Sequence, residues 1–476
     1  MQTVNVQTLR TGSPRVAVRV SLAQCHTAWL AARRGKKPSA NQLRFASRWL
    51  QHLQQLQATL GAGTWVPRRT VSFVVNRPKT REIHAPDFAD RVLHHWLVPQ
   101  LEALYEPVFI HDSYANRAGK GSHAAVERLQ GFMRAQQNAC GGQGWFLQLD
   151  VHNFFNTIHR PTLYGLLKAR LARDVRNPAR QLSAPRALQL QSLCHKLLAQ
   201  PTHHHCSNPQ AAAQVPAHKR LCNAPPGCGL PIGNLTSQFF ANVVLNELDQ
   251  FVKHDLKVRH YVRYVDDFVL LADNPAQLRQ WHAQIARFLQ DRLRLTLKDE
   301  HCLAPLQAGV DFLGYVVYPH HRLVRRRVVQ HCKQKLAQWA ARHCRGGGIY
   351  TSAQQLAQLQ HMLASYWGHF AHAHSVRLRH ALFARFAWLQ ALFHINPAGQ
   401  IAPRWVLQGT TLAEQVHWLR QQWPHAVCEV QKGFELLRFA PLNTADGSRV
   451  RAVQTGYLQH GTRRREITDI SFKEFV

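Results

Sequence analysis

Apolar residues recur at helical spacing over residues 41–60, where Phe45, Trp49, Leu53, Leu56 and Leu60 share one face and Gly61 offers a stop. The period then shortens. VSFVV, the turn NRPKT and REI predict a β-hairpin over 71–84. Helical patterns return near 88–104 and 122–136, and Gly141, Gly142 and Gly144 interrupt the chain before the apolar run WFLQLD, which reads as a strand ending at Asp150. From about 176 to 228 the chain is rich in Pro, Ala and His with little periodicity, which predicts an insertion or long loop. Phe240, Val244, Leu248 and Phe251 then mark a buried helix face, and HYVRYVDDFVLLAD reads as two short strands around a tight turn. A basic helix is expected over 322–342, ended by Gly346, Gly347 and Gly348, with further helices over 353–370 and 376–393. Beyond Pro397 the pattern is mixed, which sets a boundary near 396, and no internal repeat is visible.

Composition sharpens this picture through charge. The 476 residues carry 59 Lys and Arg against 26 Asp and Glu, a formal net charge of +33. Hydrophobic residues make up 45%, which excludes wholesale disorder, and charged residues only 18%, so the excess arises from scarce acids. Such a surface repels itself unless it meets a polyanion, nucleic acid first and an anionic membrane face second. No run of about eighteen apolar residues is present, so a membrane-spanning helix is not expected. The opening MQTVNVQTLRTGSPRVAVRV does not read as a signal peptide. Ten Cys without a C-x-x-C pair read as reduced thiols of a cytoplasmic protein.

In a chain so poor in acids, carboxylates within apolar runs stand out. Asp150 ends WFLQLD, and Asp266 and Asp267 sit between YVRYV and FVLL. An adjacent Asp pair in a turn is ordinary turn chemistry. The β-branched and aromatic flanks argue against that reading, because like charges on a buried hairpin need a divalent cation to be tolerable. Three such carboxylates with so basic a chain suggest phosphoryl transfer on nucleic acid, assisted by two metal ions.

The chain resembles reverse transcriptases, in order over roughly residues 40–345. YVDD (264–267) is similar to the family's catalytic turn, and QLDVHNFF to its first catalytic strand. GLPIGNLTSQ (229–238) resembles the segment under template and incoming nucleotide, FLGY (312–315) the primer-grip hairpin, and RPKTREI (77–83) the hairpin that grips the triphosphate. The resemblance implies an α+β right-hand polymerase of fingers, palm and thumb, followed by a small C-terminal α/β domain. Its divisions are an N-terminal helical extension over 1–70, fingers and the start of the palm over 71–149, palm over 150–320 with the insertion at about 176–228, helical thumb and linker helices over 321–395, and the accessory domain over 396–476.

Residue roles follow from the same resemblance. Asp150, Asp266 and Asp267 are the expected ligands of two Mg²⁺ ions, for which Mn²⁺ can substitute. Lys79 and Arg81, alternating on a strand, would neutralise the triphosphate. Phe155 would exclude a ribose 2′-hydroxyl, with Phe154 the core residue beside it. Gly229 and Gly233 would let template and nucleotide approach the backbone closely, while Ile232 and Gln238 would flank the nascent base pair. Arg117 and Lys120 are candidates for the template backbone, and Tyr264, Leu313 and Gly314 for template and primer. Where the family has a Lys thought to protonate pyrophosphate, the best-matching position holds His301, with Lys298 three residues earlier.

The Ile-Gly…Ser-Gln form of GLPIGNLTSQ resembles the enzymes of diversity-generating retroelements, a group II intron-like lineage whose members copy a template RNA with errors at adenine. Implied partners are template RNA, primer and cDNA, deoxynucleoside triphosphates and a small basic protein encoded nearby, in a bacterium or phage. Retron-like defence reverse transcriptases share much of this sequence, and a catalytically silent nucleic-acid-binding protein is the rival from another class. An RNA-dependent RNA polymerase is disfavoured by Phe155. His203, His204, His205, Cys206, His218, Cys222 and Cys228 match no common zinc module and read as loop. QGTTLAEQVHWLRQQWPHAVCEVQKGFELLRF resembles the first domain of MutS-type mismatch-recognition proteins: Glu435 matches that family's Glu, Gly433 stands where its wedge Phe belongs, and Phe434 substitutes only in a shifted register. Arg463, Arg464 and Arg465 favour nucleic-acid backbone contact.

Overall fold

Ser21 opens the first helix with a capping box, its hydroxyl accepting from Gln24 N while the Gln24 side chain returns to Ser21 N. The computed structural model describes residues 20–403, apart from 36, 77, 78, 203, 204, 346, 347, 352, 397 and 398, and short strands between 427 and 475. The chain divides into two compact units, Met1–Ala308 and Gly309–Val476.

In the first unit, α1 (Leu22–Arg33) buries Cys25, Ala28, Trp29 and Ala32. The single helix expected over 41–60 is two helices, α2 (Ala40–Ser47) and α3 (Trp49–Gly61), because Arg48 between them leaves helical dihedrals at φ −133°, ψ 40°. The break changes the phase of the stripe. Phe45, Leu53, Leu56 and Leu60 stay buried, whereas Trp49 is 38% exposed and stacks on Trp29 at 5.1 Å.

The hairpin forms as expected, with β1 (Val71–Val75) antiparallel to β2 (Arg81–Ala85) and Phe73 opposite Ile83. Helices α4 (Phe88–Tyr105) and α5 (Ser122–Ala139) follow, then β3 (Trp145–Asp150), the short α6 (Phe154–Thr157) and α7 (Arg160–Val175). The stretch 176–228, expected as an insertion or long loop, is not loop throughout. It holds α8 (Ala184–Leu198), which packs on α7 and buries Ala187, Leu190, Leu193, Cys194 and Leu198. That i, i+3, i+4 stripe is real, and the Pro- and His-rich flanks obscured it. After α8 come β4 (His205–Cys206), parallel to β1, and the single turn α9 (Pro209–Ala213).

Helix α10 (Leu235–Gln250) buries Phe240, Val244 and Leu248 and packs on α4 and α7. Its neighbours in sequence are β5 (Tyr261–Tyr264), β6 (Asp267–Ala272), α11 (Pro275–Phe288) and β7 (Cys302–Pro305). A four-stranded antiparallel sheet has the order β5-β6-β3-β7, with α5 and α11 packed against it. Phe268, Val269, Leu270 and Leu271 are all buried, which accounts for an apolar run without alternation.

The second unit begins with the antiparallel strands β8 (Val310–Phe312), β9 (Tyr315–Val317) and β10 (Arg322–Val324). The basic helix α12 (Arg326–His343) therefore starts later than expected, after a strand. β11 (Cys344–Arg345) pairs with β12 (Gly348–Thr351), so Gly348 opens a strand. Gly346 and Gly347 lie outside the described residues. Helix α13 (Ala353–Ala371) matches expectation, but 376–393 splits into α14 (Val376–Arg385) and α15 (Trp388–Leu392) at Phe386, which adopts φ −114°, ψ 65°. Trp388 then stacks on Trp339 at 4.5 Å. Phe393 begins β13 (Phe393–Ile395), paired with β14 (Ile401–Pro403).

Among the described residues beyond 403 are β15 (Val427–Gln431), β16 (Phe434–Arg438), β17 (Leu442–Asn443), β18 (Arg449–Tyr457) and β19 (Ile470–Phe475). β19 pairs with both β18 and β12, so one sheet runs across the boundary expected near 396. Phe434 and Glu435 lie on β16, whereas Gly433, Arg463, Arg464, Arg465 and residues 408–426 of the MutS-like stretch lie outside the described residues.

Candidate active site

Strand register creates the acidic cluster. β3 and β6 run antiparallel with Asp150 directly opposite Asp267, and β5 places Tyr264 on the other side of Asp267. Val265 and Asp266 form the turn between β5 and β6, and the Asp266 carbonyl accepts from Val151 N at 3.2 Å. Three carboxylates thus gather at one end of neighbouring strands. Val265 sits at φ +56°, a left-handed conformation that a β-branched residue adopts only at a cost of order 1–3 kcal/mol.

The charges here are unbalanced. Asp150 Oδ1 is buried and has no hydrogen-bond partner, while Oδ2 receives the Lys298 ammonium. Asp267 Oδ1 accepts from Gln148 Nε2 at 3.0 Å. Burial, then the negative charge of Asp150, push the Asp266 carboxyl up to about 6, against the opposing pull of its own backbone hydrogen bond, Lys298 and Arg81. A repelled pair of carboxylates with an orphaned buried oxygen suits a divalent cation. Among the described residues no group of three or more His, Cys, Asp and Glu forms a ready metal cage. Hard cations in phosphoryl-transfer sites take only one or two protein carboxylates and complete their shell with water and substrate phosphate, so the donor set still fits Mg²⁺.

Arg81 is exposed at the start of β2 and its charge is felt at Asp266. Lys79 is exposed too, but it lies in the turn before β2, so the two do not alternate along one strand. Phe154 is a core residue, 2% exposed. Phe155 is half-buried, its ring centroid 5.5 Å from that of Phe154, and its carbonyl accepts from Leu230 N at 2.7 Å.

Gly229 (φ +95°) and Gly233 (φ +121°) are demanded first by the chain itself. A Cβ on Gly229 would meet Leu221 at 2.7 Å, and one on Gly233 would meet the His84 carbonyl at 2.8 Å. The His84 N–H also donates to the Ile232 carbonyl at 2.7 Å, and Glu82 Oε2 accepts from Leu221 N at 2.9 Å. Strand β2 therefore grips both ends of the 221–233 segment. Ile232 is half-buried, as is Gln238 in the first turn of α10, where its N–H donates to Asn234.

Two assignments change. Arg117 has a side chain only 5% exposed; it pairs with Glu106 at 2.6 Å and donates to the Ile110 and Ser113 carbonyls. Its guanidinium is a staple within its own loop and is not presented to a template. Lys120 likewise donates to the His111 carbonyl at 3.0 Å and lies over the Tyr114 ring. His301 is exposed, packs on His282 with centroids 4.6 Å apart, and meets the Asp299 carbonyl through Nδ1, while Lys298 reaches Asp150. Gln148 was not anticipated; its position two residues before Asp150 on the same strand face was the available signal. In the second unit, Leu313 (φ +51°) and Gly314 (φ +95°) form a two-residue turn between β8 and β9, with both residues left-handed as such hairpins require.

The family described as "Reverse transcriptase (RNA-dependent DNA polymerase)" matches residues 74–317, just over half of the chain, and the chain belongs to that family. It is 23% identical to the group II intron-encoded protein LtrA of Lactococcus lactis subsp. cremoris, over 56% of this chain and 49% of that one. It is 24% identical to protein YkfC of Escherichia coli K12, over 60% of this chain and 75% of the other. The chain thus spans about half the length of the first of these relatives. Similar solved structures include telomerase from Candida albicans with a fragment of telomeric RNA (TM-score 0.37, 13% identity, 67% of this chain and 55% of that one). Another is apo telomerase from Candida tropicalis (TM-score 0.39, 12% identity, 67% and 57%). Among the described residues no helix is long and apolar enough to cross a membrane.

Proposed function

We propose that the chain is an RNA-templated DNA polymerase of fingers–palm–thumb architecture, working by two-metal nucleotidyl transfer. The carrying observation is the register that sets Asp150 against Asp267 with Asp266 in the adjoining turn. The primer 3′-hydroxyl gives its proton to water, its oxygen bonds to the α-phosphorus of a deoxynucleoside triphosphate, and the bond from that phosphorus to the departing pyrophosphate breaks. Asp150, Asp266 and Asp267 would hold two Mg²⁺ ions, which would supply activation of the attacking oxygen and neutralisation of the leaving one. Arg81 steadies the triphosphate, Lys298 is the nearest cation able to protonate pyrophosphate, and Phe155 closes the space a 2′-hydroxyl would fill. Changing Asp266 or Asp267 to Ala is expected to abolish primer extension on an RNA template while leaving template–primer binding intact. Residual synthesis by either variant, free of wild-type protein, overturns the mechanism.

The finer reading is an error-prone enzyme of a diversity-generating retroelement, supported by the Ile-Gly…Ser-Gln form of GLPIGNLTSQ. Its partners would be a template RNA and a small basic protein encoded nearby, and its C-terminal residues 396–476 a MutS-like accessory domain. Sequencing of cDNA copied from a defined RNA, with any such small protein present, should show errors concentrated opposite template adenines. Errors spread evenly over the four bases favour the retron-like alternative, with the same catalytic residues.

A further inference from the structure

A second charged pair lies directly beneath the catalytic turn and is fully enclosed. Arg263 and Asp249 each have 0% side-chain exposure. The guanidinium grips Asp249 through two parallel bonds, Nε to Oδ1 at 2.7 Å and one terminal nitrogen to Oδ2 at 2.6 Å. That nitrogen also donates to Ser113 Oγ at 3.0 Å. The other terminal nitrogen donates to Asn242 Oδ1 at 3.3 Å and to the Val265 carbonyl at 2.9 Å. These five contacts match the five N–H donors of an arginine.

The partners are anchored in turn. Tyr261 donates to Asp249 Oδ1 at 2.8 Å, and Asn242 donates to the Ala115 carbonyl at 2.8 Å. The Arg263 backbone accepts from Tyr114 N and donates to the Asp112 carbonyl, tying β5 to the 112–115 segment. A buried ion pair is weak evidence for stability, since removing two charges from water offsets most of their attraction. The distinctive feature is geometric: one fork ties the carbonyl of strained Val265 to a helix and to a second loop.

Resting on the functional reading above, we infer that Arg263 is a positioning residue: clamped by Asp249, it holds the Val265 carbonyl and thereby fixes the turn that presents Asp266 and Asp267 to metal and nucleotide. Lysine, with a point charge and no planar fork, cannot make this set of contacts.

Two variants test this: Arg263→Lys, and Arg263→Met combined with Asp249→Leu, which removes both charges together. Three measurements are made on the full chain: thermal unfolding with template–primer binding, single-turnover deoxynucleotide incorporation, and Mn²⁺ binding by electron paramagnetic resonance on protein alone. The expected result is a folded protein with near-normal template–primer affinity, incorporation slowed by roughly 10²-fold as for a misplacement of about 1 Å, and half-saturating Mn²⁺ raised by roughly 10-fold. A folded double variant with wild-type incorporation and Mn²⁺ binding overturns the inference. So does failure of both variants to fold, which assigns the pair to folding alone. If the wild type binds Mn²⁺ but extends no primer on RNA, the functional reading fails, and the Mn²⁺ data still decide the role of Arg263.

Discussion

Lys298 engages Asp150 twice: its ammonium lies on the carboxylate, and its backbone N–H donates to the Asp150 carbonyl at 2.9 Å. The side-chain contact occupies a position that a divalent cation bound as proposed would need, so the two cations would compete. Changing Lys298 to Ala should lower the single-turnover rate by about 10²-fold, as for loss of a general acid, and lower the Mg²⁺ concentration for half-maximal rate. His301→Ala should leave both near wild type, because that ring packs on His282. Primer extension at graded Mg²⁺ separates the two outcomes, and a rate loss confined to the His301 variant restores the histidine as the acid.

Asp266 supplies a pH signature. Its carboxyl stands at about 6 in the fold against an ordinary 3.8, so between about 4 and about 6 the folded state holds more protons than the unfolded one. Stability of the metal-free protein should therefore fall as pH rises through that window and level off above it. Asp90, raised by burial to about 7, adds a decline of the same sign that Asp90→Asn should remove. Mg²⁺ binds the ionised form, so the rise in melting temperature on adding Mg²⁺ should be larger near pH 7 than near pH 5. An equal rise at both would show that Asp266 does not take part in binding the ion.

The role proposed for Phe155, the half-buried member of the Phe154–Phe155 pair, is to select the sugar. Phe155→Val should raise ribonucleotide incorporation relative to deoxynucleotide, with little loss of stability because Phe154 carries the core packing. Competition between the two nucleotides on one template measures this, and an unchanged preference would make Phe155 a packing residue.

Gly233 should tolerate no side chain. At φ +121°, with the His84 carbonyl 2.8 Å from a built Cβ, Gly233→Ala combines strain with a clash and is expected to cost about 1–3 kcal/mol or more in denaturant unfolding. Gly165→Ala, within α7 and with nothing near its Cβ, should instead be neutral or stabilising by up to about 1 kcal/mol.

Much of the candidate site was legible because its carboxylates violate their surroundings. Carboxylates inside WFLQLD and YVDDFVLL conflict with an apolar, buried sheet, and that conflict pointed to the cluster. Helix phase was less legible. The breaks at Arg48 and Phe386 occur at ordinary residues, and both are accompanied by tryptophan stacking, Trp49 on Trp29 and Trp388 on Trp339, a tertiary effect no local period reveals. Helix α8 was hidden by its neighbours' composition. Arg117 and Lys120 illustrate a further limit: a basic residue in a basic chain suggests an external anion, and only the fold reveals that Glu106 and backbone carbonyls already hold them.

Strand β2 grips the 221–233 segment at both ends, through Glu82 at Leu221 and through His84 at Ile232 and Gly233. The hairpin and that segment consequently behave as a single lever. If Arg81 grips a triphosphate as proposed, drawing it inward would carry Ile232 with it, so that grasping the phosphates and shaping the surface beneath the base would be one mechanical stroke. On that reading, closing on a nucleotide would simultaneously reset the pocket that judges it.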